Sequence, residues 1–205
     1  MKAILVRHCQ TDRNRDGLVQ GRADPPLNDT GRQQAGKLAE ALAGAPVAAV
    51  YSSPLARAMQ TAAAIAARHD LPVQPTPALL ELDVGQMDGL TGAQMRERFP
   101  GFLDTWLSGP EITLRLPGGE SLEEAQERAW AFLEAVVAHD DIESIVCVSH
   151  NFVLLSLICR ALALPLTRLS RIKQAIGGIS VIDFRPGRIQ LSRLNDTCHL
   201  DLPSE

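Results

Sequence analysis

Short apolar runs alternate with longer amphipathic segments along most of this chain. The runs that we predict as buried strands are Ala3–Val6, Val47–Tyr51, Ile145–Val148, Ile179–Phe184 and Ile189–Leu194. The first three are almost continuously apolar, which is typical of strands covered on both faces in a parallel sheet. The pattern therefore favours an α/β fold with a mostly parallel central sheet.

Helical patterns fill the segments between these strands. The predicted helices are Thr30–Ala43, Leu55–His69, Ser121–His139 and Asn151–Ala163. The first opens with Thr30 and Gln33, and the third opens with Ser121 and Glu124; each pair has the spacing of a capping box. Because strands and helices alternate in this way, we predict a three-layer α/β/α sandwich.

The segment from Glu81 to Glu120 interrupts the alternation. It is rich in glycine and proline and holds one short helical pattern near Ala93–Phe99. The proline-containing stretch just before it, residues 72–77, is predicted to be an extended connector. We predict that residues 1–205 form a single domain, with residues 81–120 as a cap-like excursion over one face of the sheet.

Composition narrows the possible functions. The chain has 205 residues and a formal net charge of −4, which argues against a nucleic-acid-binding protein but leaves room for a local cationic site. Its four cysteines form no CxxC pair, so no zinc ribbon or finger is predicted. No apolar run reaches the roughly 18 residues of a membrane span, and the N-terminal run is too short for a signal peptide. We expect a soluble, cytoplasmic monomer or homodimer with no membrane partner.

Basic residues follow three of the predicted strands. Arg7 and His8 come after the first strand, Arg57 falls in the first helical turn after the second, and His150 follows the third. Open α/β sheets bind ligands beyond the carboxyl ends of their strands, where helix N-termini attract anions and arginine matches phosphate oxygens. A single residue of this kind is usually structural or solvated, but the repetition makes a phosphate site an equal alternative.

Six blocks of sequence, in order, resemble the signatures of the histidine phosphatase superfamily, the phosphoglycerate-mutase-like enzymes. The blocks are RHCQT followed by Asn14, QGRADPPLNDTGRQQA, SSPLARAMQTA, ELDVGQMDGLT, PGGES and VSHN. They span nearly the whole chain. The resemblance implies the phosphoglycerate-mutase-like form of the α/β/α sandwich.

The resemblance also implies roles for individual residues. His8 would be the nucleophile that takes the phosphoryl group, and Glu81 would be the general acid and then the general base. The phosphate oxygens would be held by Arg7, Arg57 and His150. No metal or other cofactor is implied, because the protein's own cations would stabilise the charge of the transferring group.

The resemblance assigns the lining of the substrate mouth to Asn14, Gln20, Gly21 and Asn151. A phosphatase is favoured over a mutase because the excursion segment 99–120 has a single basic residue, Arg115, whereas glycolytic mutases carry a basic insertion there. We predict a metal-independent phosphomonoesterase that acts on a small phosphorylated metabolite, similar to α-ribazole-phosphate phosphatases and broad-specificity phosphomonoesterases. The alternatives are phosphoglycerate-mutase-type transfer and an inactive phosphate-binding adaptor.

Apolar residues of the excursion have two interpretations. They are Phe102, Trp106, Leu107, Ile112, Leu114 and Leu116. They either contact a partly apolar substrate or dock the excursion onto the rest of the domain.

Two further features stand out beside the family pattern. Cys9 replaces the usual glycine after the nucleophile; it is either a reactive thiol whose pKa the cationic cluster lowers, or a packed structural thiol. The tail segment NDTCHL, residues 195–200, resembles an ending that is frequent in the phosphatases of the family. No chemical role follows for it from the sequence.

Overall fold

The structure, a computed structural model, describes residues 1–102, 105–106, 114–138 and 142–200. Its strands are β1 (Lys2–Arg7), β2 (Val47–Ser52), β3 (Val73–Pro75), β4 (Ser144–Ser149), β5 (Ile179–Arg185) and β6 (Arg188–Asp196). Its α-helices are α1 (Asp12–Arg15), α2 (Asp29–Leu42), α3 (Ala56–Ala66), α4 (Gly92–Arg98), α5 (Leu122–Val137) and α6 (Asn151–Ala161).

Within the described part of the chain, the strands form one six-stranded sheet in the order β3-β2-β4-β1-β5-β6. Strands β1 to β4 pair in parallel, with Val146 of β4 opposite both Ile4 of β1 and Val50 of β2. Strands β5 and β6 are antiparallel additions beside β1. The carboxyl ends of β1, β4 and β2 therefore lie next to one another at one edge of the sheet.

Helices cover both faces of this sheet. Along β1, Ala3 and Leu5 pack into the apolar cluster that contains α5 and α6, whereas Ile4 and Val6 pack into the cluster that contains α2 and α3. Successive side chains of a strand point to opposite faces, so a strand buried on both sides must be apolar at every position. The predicted α/β/α sandwich with a mostly parallel sheet is confirmed.

Helix starts match the sequence analysis at one place and differ at another. Ser121 and Glu124 form the predicted capping box at the start of α5. The predicted box of Thr30 and Gln33 is wrong, because α2 begins at Asp29 and its N-cap is Asn28. The Asn28 carboxamide oxygen accepts the Gly31 N–H at 2.8 Å, which satisfies a backbone donor that has no partner inside the helix.

The proline-containing connector holds a strand that the pattern did not predict. Residues Val73 to Pro75 pair in parallel with β2, with Val73 opposite Val50. Proline lacks a backbone donor and is tolerated in a sheet mainly at an edge, which is where β3 lies. The strand has three residues, and one of them is Pro75, so it forms no apolar run long enough to be recognised in the sequence.

Part of the excursion packs against the domain. Trp106 and Leu116 are buried in the same apolar cluster as α5 and α6, and the Trp106 ring meets Phe152 of α6 edge-on at 5.7 Å. These contacts favour the docking interpretation for Trp106 and Leu116. Leu107 and Ile112 lie outside the described residues, as does His139 at the predicted end of α5. The single domain and its cap remain predictions.

No helix among the described residues has the length and apolar character that crossing a bilayer requires.

Gly31 brings α2 into contact with the turn that follows β1. A Cβ atom at Gly31 would lie 2.0 Å from the backbone oxygen of Gln10, which is far inside van der Waals contact. Gly36, on the same helix, has open space around it. The close approach of α2 to the turn after β1 therefore requires glycine at position 31 but not at position 36.

Alanine substitutions at these two glycines are expected to have opposite effects on stability. Gly31→Ala should lower the free energy of unfolding by about 1–3 kcal/mol, because backbone must shift to admit the methyl group. Gly36→Ala should raise it by about 0.5–1 kcal/mol, because alanine loses less backbone freedom in a helix. Urea denaturation of both variants measures the difference; destabilisation of equal size at both positions would refute the close-approach argument.

Candidate active site

The structure brings His8, Arg57 and His150 into contact at the carboxyl ends of β1, β2 and β4. The ring centroids of His8 and His150 are 5.0 Å apart. The Arg57 Nε–H donates to His150 Nδ1 at 3.2 Å. All three side chains are buried. The strand order causes this meeting, because β4 lies between β1 and β2.

The His8 ring has a defined tautomer. Its Nδ1 lies 2.8 Å from the carbonyl oxygen of Cys9. A carbonyl oxygen can only accept, so Nδ1 carries the proton and Nε2 holds the lone pair of the neutral ring. Burial, followed by the charges of Arg57 and Arg7, holds the pKa of His8 well below its ordinary value. His8 is thus a neutral imidazole with an available nitrogen lone pair.

His150 is fixed by partners on both ring nitrogens. Because Nδ1 accepts from Arg57, the neutral ring carries its proton on Nε2, which lies 2.8 Å from the Ser53 hydroxyl. Burial is the largest cause that holds the pKa of His150 well below its ordinary value. Ser53 belongs to the SSPLAR stretch, but its contact with His150 was not predicted from the sequence.

The Arg57 guanidinium is fully buried and is held by backbone groups as well as by His150. Its Nη1 donates to the Ala23 carbonyl at 2.7 Å, and its Nη2 donates to the Gly21 carbonyl at 2.8 Å. Burial lowers the pKa of Arg57, and the negative charge of Glu81 acts in the opposite direction. Residues 20–24 are therefore anchored on Arg57, which is how Gly21 comes to lie at the site.

The Arg7 guanidinium has a second set of anchors. Its Nη1 donates to the Gln174 carbonyl at 2.6 Å and to Asn151 Oδ1 at 3.1 Å. Its Nε is buried and has no hydrogen-bond partner within the described residues. Burial is the largest cause that lowers the pKa of Arg7. A buried cationic donor without a partner is what an anion site needs.

Glu81 is buried beside the start of α6. Its Oε1 accepts the Leu82 N–H at 2.8 Å, and its Oε2 accepts the Phe152 N–H at 3.4 Å. Burial raises the pKa of Glu81, and this effect outweighs these hydrogen bonds and the attraction of Arg57 and Arg7. A carboxyl group with a raised pKa can serve as a proton donor near neutral pH.

The two helices that start at the site lack the usual N-terminal cap. At the starts of helices α2, α4 and α5, the side chain of the N-cap residue accepts a backbone N–H of the first turn. These N-cap residues are Asn28, Thr91 and Ser121. Helices α3 and α6 have no such bond from their N-cap residues, Leu55 and His150. Carboxylates from elsewhere in the chain take the place of these caps. Asp24 Oδ1 accepts the Ala56 N–H of α3 at 2.6 Å, and Glu81 Oε2 accepts the Phe152 N–H of α6 at 3.4 Å.

The predicted mouth residues Asn14 and Gln20 are linked through Thr11. The Thr11 hydroxyl lies 3.1 Å from Asn14 Oδ1 and 3.0 Å from Gln20 Oε1. The Gln20 Nε2 is buried and has no partner within the part of the chain that is described. Thr11, which is fully buried as the N-cap of α1, was part of the RHCQT block but was not assigned a role.

Comparison with known proteins finds a family match that covers almost the whole chain. The family described as "Histidine phosphatase superfamily (branch 1)" matches residues 3–197. The chain belongs to this superfamily. Phosphoserine phosphatase 1 of Hydrogenobacter thermophilus is 33% identical over 200 residues, which cover 98% of this chain and 94% of the relative.

Two further relatives represent the range of the superfamily. A probable phosphoglycerate mutase of Enterobacter sp. (strain 638) is 30% identical and is matched over 100% of this chain and 97% of its own length. The crystal structure of the α-ribazole phosphatase from Shigella flexneri superimposes with a TM-score of 0.85 at 27% identity, covering 100% of both chains. The superfamily and its phosphatase-named members support a hydrolase of the phosphatase type.

Cys9, which departs from the superfamily's glycine, is a packed structural thiol. It is fully buried, and burial raises its pKa to about 12. Of the two interpretations, the packed structural thiol is confirmed and the reactive thiol with a lowered pKa is wrong, because removing the thiol from water raises its pKa. Its backbone N–H donates to the Thr61 hydroxyl at 3.1 Å, which ties the turn after β1 to α3.

Asp88, which stands where many superfamily members have glutamate, has a structural partner. Its Oδ1 accepts from Arg13 at 2.6 Å, and its Oδ2 accepts the Ala23 N–H at 2.9 Å. Asp88 therefore holds residues 20–24 from the side opposite Arg57. No group of three or more histidine, cysteine or carboxylate side chains among the described residues has an arrangement that could hold a metal ion.

The protonation of the two site histidines can be tested directly. Because their folded pKa values lie below that of an unfolded histidine, near 6.5, the unfolded chain binds more protons and stability falls as the pH drops below that value. We expect the ring Cε1–H resonances of His8 and His150 to keep their neutral positions as the pH falls through the range in which an unfolded histidine titrates. Carbon-detected NMR titration measures this, with His8→Gln and His150→Gln for assignment. A midpoint at or above 6.5 for either ring contradicts the derived neutral state.

Proposed function

We propose that this protein is a metal-independent phosphomonoesterase that forms a phosphohistidine on His8. The observation that carries the proposal is the His8 ring: the bond from Nδ1 to the Cys9 carbonyl leaves the lone pair on Nε2, and the charges of Arg57 and Arg7 act on the ring. Phosphoryl transfer depends on positioning a nucleophile and on stabilising negative charge. Both requirements are met by residues of the chain.

The proposed reaction has two displacements. In the first, His8 Nε2 attacks phosphorus, the bond from phosphorus to the alcohol oxygen breaks, and Glu81 gives its proton to that oxygen. In the second, Glu81 takes a proton from water, the water oxygen attacks phosphorus, and the phosphorus–nitrogen bond breaks. Inorganic phosphate leaves, His8 is again neutral, and Glu81 is again protonated.

Arg7, Arg57 and His150 are assigned to the phosphate oxygens. The unpartnered Nε of Arg7 supports this role. His150 is held in place for this role by its hydrogen bonds with Arg57 and Ser53. Two permanent cations beside neutral imidazoles match the two negative charges of a phosphomonoester dianion.

The substrate mouth is assigned to Asn14, Gln20, Gly21 and Asn151. The buried, unpartnered Nε2 of Gln20 is a donor for an acceptor atom on the alcohol part of the substrate. Asn151 already bonds to Arg7, so it joins the phosphate site to the mouth. These side chains suit a small phosphorylated metabolite; the names of relatives suggest phosphoserine and α-ribazole phosphate as the first compounds to test.

A phosphatase is favoured over a mutase by the state of the nearby arginines. Arg115 bonds to the Gly119 carbonyl and to Glu124, so it is not directed at the mouth. Arg13 is paired with Asp88, and Arg22 bonds to Glu120. A mutase must grip the carboxylate of phosphoglycerate, and these three cations are already engaged. An inactive adaptor is disfavoured because both catalytic groups and the phosphate ligands are present.

The purified protein is expected to hydrolyse p-nitrophenyl phosphate in excess EDTA and to form an acid-labile, base-stable phosphoenzyme. His8→Ala should abolish the phosphoenzyme, because it removes the nitrogen to which the phosphoryl group is transferred. The measurement is transfer of radioactive phosphate from a labelled phosphomonoester, quenched in base. With 3-phosphoglycerate, release of inorganic phosphate is expected in place of 2-phosphoglycerate.

His69→Ala, which changes a histidine at the far end of α3, is the matched control and should leave the label unchanged. Label that survives in His8→Ala would remove His8 as the nucleophile. Activity that EDTA destroys and a divalent ion restores would refute the metal-independent mechanism.

Glu81→Gln is expected to slow alkyl phosphates far more than p-nitrophenyl phosphate. An alkoxide needs a proton as it leaves, whereas p-nitrophenolate leaves without one, so kcat/KM should fall about 100-fold for the alkyl ester and less than about tenfold for the aryl ester. The ratio kcat/KM includes only steps up to departure of the alcohol, so the later base role of Glu81 does not affect it.

Glu124→Gln is the control for replacing a carboxylate with an amide, since glutamine also completes a capping box. Both esters should keep their wild-type kcat/KM in that variant. Equal losses for both esters in Glu81→Gln would count against the acid role.

A further inference from the structure

The tail segment NDTCHL packs directly behind Arg7. Asn195 lies near the end of β6, where the register with β5 shifts and more residues of β6 than of β5 are used. Its φ is +49°, a left-handed conformation that only a few non-glycine residues adopt, asparagine among them. A bulge of this kind redirects a side chain and is common beside active sites. Here it turns the Asn195 side chain toward residues 174–178.

A chain of hydrogen bonds runs from Asn195 to Gln174. The Asn195 backbone N–H donates to the Ser180 hydroxyl at 2.9 Å, and that hydroxyl donates to Gln174 Oε1 at 2.7 Å. The Asn195 Oδ1 accepts the Ala175 N–H at 2.6 Å. Ser180 is fully buried, and Gln174 is 2% exposed. Asn195 thus fixes Gln174 and its neighbour through both its backbone and its side chain.

The far end of this chain is the Arg7 guanidinium. The Gln174 side chain donates to the Gly178 carbonyl at 2.8 Å, and the Gln174 carbonyl accepts from Arg7 Nη1 at 2.6 Å. A Cβ atom at Gly178 would lie 2.7 Å from Asn195 Oδ1, so this close packing requires glycine. The position of the Gln174 carbonyl, and with it the orientation of Arg7, depends on bonds that begin at Asn195.

We propose that Asn195, through its side-chain bond to Ala175 and its backbone bond to Ser180, fixes Gln174 and is a positioning residue that orients the Arg7 guanidinium for phosphate. The proposal rests on the proposed function, in which Arg7 holds phosphate oxygens. It gives the NDTCHL segment a role: the tail supports the phosphate site from behind and touches no substrate. A guanidinium that binds two oxygens is sensitive to its angle, so a small displacement is costly.

The alternative is that Asn195 only stabilises the end of the sheet. Binding of inorganic phosphate distinguishes the two in variants that circular dichroism shows to be folded at the assay temperature, because the dissociation constant from isothermal titration calorimetry then reports the site of the folded protein. Asn195→Gly keeps the left-handed backbone and removes the Oδ1 acceptor, and should weaken phosphate binding about tenfold. Asn195→Asp keeps the acceptor and should stay within about twofold of wild type.

Ser192→Ala is the matched control. Ser192 is an exposed serine on the same strand, with a single 3.4 Å bond to Val181, and its loss should leave phosphate binding unchanged. Ser180→Ala breaks the link to Gln174 without altering residue 195 and should weaken binding at least threefold, or about 0.6 kcal/mol. If Asn195→Gly does not fold, the Ser180→Ala variant tests the proposal by itself.

Arg7→Ala separates failure of this proposal from failure of the proposed function. Arg7→Ala should itself weaken phosphate binding, and adding Asn195→Gly to it should cause no further loss, since the residue being positioned is gone. If Arg7→Ala weakens binding and Asn195→Gly and Ser180→Ala do not, the positioning role is overturned and the function stands. If Arg7→Ala has no effect, the assignment of Arg7 in the proposed function is wrong.

Discussion

Two guanidinium groups at one edge of the sheet, that of the fully buried Arg57 and that of the half-buried Arg7, determine the arrangement of the residues around them. Arg7 and Arg57 lie close enough for their charges to act on the same histidines, and burial opposes both charges. A buried charge is costly unless most of its donors are satisfied. The Glu81 carboxyl compensates little, because burial favours its neutral form. The chain therefore brings backbone carbonyls to the arginines instead.

This requirement explains why two irregular segments approach the site. Residues 20–24 supply the carbonyls that hold Arg57, and they are fixed from the other side by Asp88. Residues 174–178 supply the carbonyl that holds Arg7, and they are fixed by the tail. Neither segment is a strand or helix, so each needs side-chain anchors to stay in place. The ion pair of Asp88 and Arg13 and the bonds of Asn195 are these anchors.

The sequence was sufficient for the parts of the site that depend on strand position. The apolar runs located β1, β2 and β4, and the basic residues that follow them meet because parallel strands end at one edge. The start of α2 was misplaced because Asn28 and Thr30 are both good N-caps, and only tertiary contact of Gly31 with Gln10 decides between them. The short edge strand at Val73 was hidden by its prolines.

The carbonyls that hold the arginines could not be predicted in the same way. A backbone oxygen leaves no mark in the sequence, so the contacts of Gly21, Ala23 and Gln174 depend on where loops settle. Family motifs indicated Gly21 only as part of a block. Gln174, Ser180 and Asn195 lie apart along the chain, and their connection requires the bulge in β6.

The turn after β1 shows how such contacts permit a departure from the family pattern. Cys9 does not have a positive φ, so its backbone conformation does not demand glycine. Its side chain faces Gly177 across the turn, where a Cβ atom would be in ordinary contact with the Cys9 sulfur at 3.6 Å and in tight contact with Leu200 at 3.2 Å. Gly177 thus lies between the thiol and the tail, and its φ of +69° favours glycine there. Because Leu200 belongs to NDTCHL, the same tail segment packs beside Gly177 and is linked to Arg7 through the hydrogen bonds of Asn195, Ser180 and Gln174.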